Sequence, residues 1–241
     1  MSPQRMSQNL KRLYGAKLSA LDGDIGHVKD FYFDDKFWVV RYLVVEAGPW
    51  TPGRQLLLSP HACRFLHQDG KVIFVNLTRE QIEKSPSTDT HKTVSRQYEI
   101  DYYRHYGWSP YWQGPGIWGS GGFPEITPPP IVTAPSTPEP QPHELHEQGG
   151  GVHLRSTTEV MGYHIQTTDG TIGMVSGFLL DDKSWAISEL VVEAGHWYSG
   201  KEILIATSSI NRISYEESKV FVNLTKADIQ RTAEHHLARH D

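Results

Sequence analysis

The 241-residue chain has a formal net charge of -5 and a pI near 6.2, without the basic excess a general polyanion binder needs. Its single cysteine, Cys63, excludes an intramolecular disulfide and a cysteine-built zinc knuckle, and suits a reducing cytoplasm. No run approaches about 18 consecutive apolar residues, so no helical membrane span is expected, and the polar stretch Met1–Tyr14 lacks a signal peptide's apolar core.

In chain order, the first patterned segment opens at Asp22-Gly23-x-Ile25-Gly26-x-Val28, and a shift of 147 residues places it on Asp169-Gly170-x-Ile172-Gly173-x-Val175. The strand expected over Gly26–Phe33, and its copy Gly173–Leu180, changes apolar parity between Val28/Val175 and Phe31/Phe178, which predicts a bulge. Asp34-Asp35-Lys36 and Asp181-Asp182-Lys183 then read as turns, each followed after one intervening residue by a tryptophan, Trp38 or Trp185. Strands rich in β-branched residues follow, about Val39–Glu46 and Ile187–Glu193. They break at Ala47-Gly48 and Ala194-Gly195. Further strands are expected at Leu56–Leu58 and Ile203–Ile205, and at Val72–Asn76 and Lys219–Asn223. Thr78-x-x-Gln81 and Thr225-x-x-Asp228 have capping-box spacing and start a helix after each last strand. Between Asp22 and Ile82, 25 of 61 positions are identical to their partners without a gap, so one small domain is used twice.

Between the copies the composition changes. Val94, Tyr98, Tyr102 and Tyr106 step by four, predicting a helix from about Val94 to Tyr106 with an aromatic stripe, closed by Gly107. Trp108, Tyr111, Trp112 and Trp118 follow it. Ten of the 15 prolines lie between Pro110 and Pro142, densest from Pro124 on, as in an extended linker. The expected organisation is repeat one over 10–90, an aromatic helix and Pro/Gly-rich linker over 91–150, and repeat two with a C-terminal helix over 151–241.

The spacing Asp22-Gly23-x-Ile25-Gly26-x-Val28, a turn, then Leu43-Val44-Val45-Glu46-x-Gly48-x-Trp50-x-x-Gly53-x-x-Leu56 resembles the PRC-barrel family in both copies. That family includes the cytoplasmic domain of the photosynthetic reaction-centre H subunit and the C-terminal domain of a ribosome-maturation factor. The resemblance implies an all-β chain of two small, highly bent antiparallel barrels, each followed by a short helix. It carries no catalytic residues over. The H subunit's membrane helix and the ribosome factor's other domain have no counterpart in this sequence.

The strongest repeated polar–aromatic pairs are Glu46 with Trp50 and Glu193 with Trp197, where a carboxylate beside an indole suits a cation or a partner's arginine. The plainer reading is a strand end beside a ring capping the barrel mouth. Asp34-Asp35 and Asp181-Asp182 supply too few oxygens for calcium. His236 and His240 share zinc-ligand spacing without a third ligand, and Cys63, aligned with Ile210, reads as a core position. Tyr98, Tyr102, Tyr106, Trp108 and Trp112 form either an internal brace or an interface for another chain. With no cofactor, metal or catalytic set indicated, the expected function is non-enzymatic protein–protein assembly, as an adaptor or homo-oligomer in the cytoplasm. Family analogy alone supplies the alternatives: an RNA- or ribosome-associated accessory factor, or a membrane-proximal electron-transfer accessory. Nucleic acid is disfavoured because Glu99 and Asp101 interrupt Arg96, Arg104 and His105. Peripheral membrane association stays open.

Overall fold

The protein, studied as a computed structural model, is described over residues 7–48, 55–64, 71–86, 94–121, 154–195 and 200–237. Trp50, Trp197, His143, His146, His240 and the proline-dense stretch from Pro124 lie outside the described residues.

The first half contains β2 (Lys17–Ala20), β3 (Gly23–Asp34), β4 (Val39–Ala47), β5 (Gln55–Leu58), β6 (Cys63–Arg64), β7 (Val72–Val75) and α1 (Arg79–Glu83). The second repeats it with β9 (His164–Thr167), β10 (Gly170–Asp181), β11 (Ile187–Ala194), β12 (Glu202–Ala206), β13 (Ile210–Ser214), β14 (Lys219–Val222) and α3 (Lys226–Leu237). The expected bulges are present as register shifts between Val28 and Asp30 and between Val175 and Gly177. A capping box starts α1: Thr78 Oγ1 accepts from Gln81 N, and the Gln81 side chain accepts from Thr78 N.

The repeated Asp-Gly motif has a mechanical role. Asp22 Oδ1 accepts from Arg79 N at 2.8 Å, and Asp169 Oδ1 accepts from Lys226 N at 3.0 Å, so each aspartate ties the start of the long strand to the start of the helix. Gly26 and Gly173 let strands approach at the bend, since a Cβ there would lie 2.0 Å from Glu46 O or 2.1 Å from Glu193 O.

Two expectations need correction. The sheets are mixed rather than antiparallel, because β2 runs parallel to β7 and β9 parallel to β14. Their pairings form open paths, β5-β4-β3-β2-β7-β6 and β12-β11-β10-β9-β14-β13, rather than closed barrels. In the first half the tight turn Pro60–Ala62 carries the chain from edge strand β5 to edge strand β6, so chain connectivity rather than a hydrogen-bond ladder joins the two edges. Each half also lends its leading arm to the other. The strand β1 (Ser7–Asn9) pairs with β10, and β8 (Leu154–Ser156) pairs with β3, giving each sheet seven strands. Pattern alone could not reveal this, since three-residue strands carry no periodicity.

The halves meet at the repeated turns. Asp34 Oδ1 accepts from Lys36 N and Phe37 N, and Asp181 Oδ1 accepts from Lys183 N and Ser184 N. These turns hold Trp38 and Trp185 at φ 55° and 56°, a left-handed conformation costly for a bulky residue. The conformation hands each tryptophan carbonyl to the opposite half: Trp185 O accepts from Val40 N at 2.9 Å, and Trp38 O accepts from Ile187 N at 2.7 Å. Phe33 and Phe178 pack across the seam with centroids 5.8 Å apart, and buried side chains of both halves form one contiguous core.

The second arm is pinned more heavily than the first. Asp30 accepts from Ser156 Oγ, from Thr157 Oγ1 at 2.9 Å and from Thr158 N at 3.0 Å, while its counterpart is Gly177. Asp30→Ala strips these groups of their acceptor and is expected to cost about 2 kcal/mol in urea unfolding. A loss below about 0.5 kcal/mol, the level of a neutral surface change, would contradict this role for the arm.

Candidate interaction surfaces

The aromatic connector is ordered and covers one face of the first half. Ser95 caps α2 (Arg96–Tyr106) by accepting from Tyr98 N, and Gly107 ends it at φ 68°. The helix begins two residues later than expected from the tyrosine spacing. Tyr102 and Tyr103 are fully buried, Tyr111 and Trp118 almost so, and Tyr98, Tyr106, Trp108 and Trp112 are half-buried against the core. Beneath them β4 is buried on both faces from Val39 to Val45, whereas Ser188 on β11 is exposed and Glu189 only partly covered. The repeat diverges at these positions: Arg41 stands against Ser188, Tyr42 against Glu189 and His61 against Ser208. Only the half with a connector has side chains suited to being covered.

The connector is fixed by a buried polar cluster. Arg41, with no exposed surface, donates to Ile117 O at 2.5 Å and to Asp34 Oδ2 at 3.2 Å, and its guanidinium carbon lies 3.9 Å from the Tyr111 ring centroid and 4.9 Å from that of Trp118. Glu99, equally buried, accepts from Arg96 at 2.7 Å, Tyr111 Oη at 2.8 Å and Tyr42 Oη at 3.1 Å. Burial pushes the Glu99 carboxyl upward, while Arg96 and the two tyrosine hydroxyls oppose that shift. Ser59 N donates to Tyr102 Oη at 2.9 Å, and Trp118 Nε1 donates to Ser184 O at 2.9 Å, so the connector reaches both halves. A cluster like this contributes more to unique geometry than to net stability, because its desolvation cost offsets much of the pairing.

The other singled-out residues sit apart from the connector. Glu46 is exposed beside His27 and Gln55 in the sheet, and Glu193 is exposed between Met174 and Glu202, so neither forms a carboxylate pocket with the connector. Cys63 is buried, its thiol pushed up to about 12 by burial, with its sulfur 3.8 Å from Ser59 O. Among the described residues no three His, Cys, Asp or Glu side chains gather as a metal site, and no helix is long and apolar enough to cross a membrane.

Two surface clefts escaped sequence reasoning. One of about 550 Å³ is lined by Lys17, Asp24, His27 and Arg79 around the Gly26 bend, with Lys17 and Asp24 paired at 2.8 Å. The other, about 330 Å³, lies on the seam between the turn at Asp35, Lys36 and Trp38, the arm residue Arg155, and Ile210–Ile213 of β13. It joins residues far apart in sequence, and only the exchanged arm brings Arg155 there. No protein-family model matches the chain, and no curated protein matches it.

His61 makes the connector acid-sensitive. Its ring stacks on Trp108 at 5.4 Å and meets Trp118 edge-on at 4.9 Å. Burial first, and Arg41 second, lower its pKa from 6.5 to about 4. The unfolded chain therefore takes up a proton between those values that the folded chain refuses, so this contribution is complete above pH 6.5 and is lost as pH falls toward 4. Urea titrations are expected to show about 2 kcal/mol more loss from pH 7 to pH 4.5 for the native protein than for His61→Phe. Equal losses in the two proteins would contradict it.

Proposed function

We propose that this chain is a non-enzymatic tandem PRC-barrel protein that mediates protein–protein assembly, and that the aromatic connector acts within it as a brace. The observation that carries the reading is the use of the chemistry-bearing residues: Arg41, Glu99, Tyr42, Tyr102 and Tyr111 make their hydrogen bonds to one another and to the fold. The repeated Asp-Gly-x-Ile-Gly motif, which carries the family resemblance, is likewise occupied in holding strand to helix and strand to strand. What is left for function is surface. Two related halves locked in fixed relation present two similar but unequal faces, a geometry that suits joining partners or bridging two sites on one partner. The exposed Glu46 and Glu193 belong to that surface, while Tyr102 does not.

An RNA-associated role has weaker support, because the chain is acidic and the connector's rings are committed to the core. The electron-transfer alternative rests on family analogy alone.

Light scattering on the purified chain and capture of partners from lysate, with and without ribonuclease and across a salt series, test the reading. Self-association or a ribonuclease-resistant protein partner is expected. A strictly monomeric chain whose only captured material disappears with ribonuclease would overturn it in favour of the RNA-associated alternative.

A further inference from the structure

The reciprocal bonds of Trp38 and Trp185 give the seam two corresponding sides, and those sides are covered unequally. On the first side, the connector joins the turn carrying Trp185 to His61: Trp118 donates to Ser184 O and packs on His61, and Trp185 is only 2% exposed. On the second side, the turn carrying Trp38 faces the segment around Ile210, no connector segment is seated there among the described residues, and the 330 Å³ cleft stands open. Trp38 and Ile210 are only partly buried there, and Phe37, the twin of Ser184, is 48% exposed.

The chemistry around this cleft is specific. Lys36 lies 5.3 Å from the Phe37 ring centroid and forms no ion pair among the described residues. Arg155 pairs with Asp35 at 2.5 Å while lying 4.5 Å from the ring centroid of Tyr215, itself 36% exposed. Arg212 and Lys219 share Glu217, at 3.2 and 3.6 Å. Among the residues lining the cleft, three cations (Lys36, Arg155, Arg212) stand against one carboxylate (Asp35), an excess of +2 on a chain whose net charge is -5, with Glu159 beside Tyr215 at the margin. Aromatic rings and arginines around a partly desolvated notch form the composition of an interface centre.

We propose that this seam cleft is the docking site for an acidic segment of a partner protein carrying one large apolar side chain. The apolar side chain enters between Trp38 and Ile210, in the role that Trp118 plays on the opposite side, and flanking carboxylates meet Lys36 and Arg212. A second copy docking through the same patch would set like charges against each other, which the complementarity argues against. The proposal rests on the assembly reading and gives that reading a partner chemistry.

The test uses the full chain and a synthetic peptide, acetyl-Asp-Glu-Trp-Leu-Asp-Glu-amide, with a lysine-for-acid version as its mirror. Saturable binding of the acidic peptide is expected, weakening with salt, with amide resonance shifts concentrated at Phe37, Trp38, Arg155 and Ile210–Ile213. The surface double variant Lys36→Glu with Arg212→Glu should weaken it at least tenfold, and Phe37→Ser should weaken it without changing its salt dependence. Absence of saturable binding, preference for the basic peptide, shifts confined elsewhere, or full affinity in the double variant would each overturn the site. Self-association abolished by Phe37→Ser would overturn it in favour of a second copy. The double variant used as bait in lysate separates the two levels. A partner captured equally by native and variant protein sinks the cleft and leaves the assembly reading standing. Peptide binding at the cleft with no partner or self-association under any condition supports the site and sinks the reading.

Discussion

Two hydrogen bonds organise this molecule: Val40 N to Trp185 O, and Ile187 N to Trp38 O. Each requires a tryptophan in left-handed backbone, a strained state that persists only where its surroundings fix it. The turn aspartates supply that constraint from one side, and the opposite half supplies it from the other. Once the carbonyls are exchanged the halves cannot rotate independently. The crossing arms, the Phe33–Phe178 contact and the connector's reach to Ser184 all build on that fixed relation.

The two halves then diverge according to what covers them. Where the connector lies, β4 carries Arg41 and Tyr42, and the polar cluster around Glu99 fixes the helix above it. In the second half, where no connector segment lies among the described residues, the same strand positions carry Ser188 and Glu189. The two halves share one strand order, and among the described residues the connector covers only the first, so their surfaces are unequal. A functional asymmetry follows: one side of the seam is sealed by Trp118, and the other presents Phe37, Trp38 and a rim of cations.

Much of this was legible in the residues because the underlying signals are local. The bulge after Val28 showed as a parity change, the capping box as Thr78-x-x-Gln81, and the connector helix as tyrosines stepping by four to Gly107. What was not legible is non-local. The crossing of β1 and β8, the parallel pairing of β2 with β7, and the burial of Arg41 depend on contacts between segments whose own sequences say nothing of their partners. In sequence, Glu99 and Arg96 figure only as mixed charges that disfavour nucleic acid, yet Glu99 is fully buried, with Tyr42 and Tyr111 donating to it. The seam cleft was invisible for the same reason, since Arg155 reaches it only through the exchanged arm.

Amide hydrogen exchange at Val40 and Ile187 tests the reciprocal lock most directly. If the seam is the constraint on which the fold depends, both amides exchange only through global unfolding, at rates matching sheet-core amides such as Val45 and Val192. Exchange at either position orders of magnitude faster than in those strands would mean that the halves separate while each stays folded, and that the seam does not hold the molecule together.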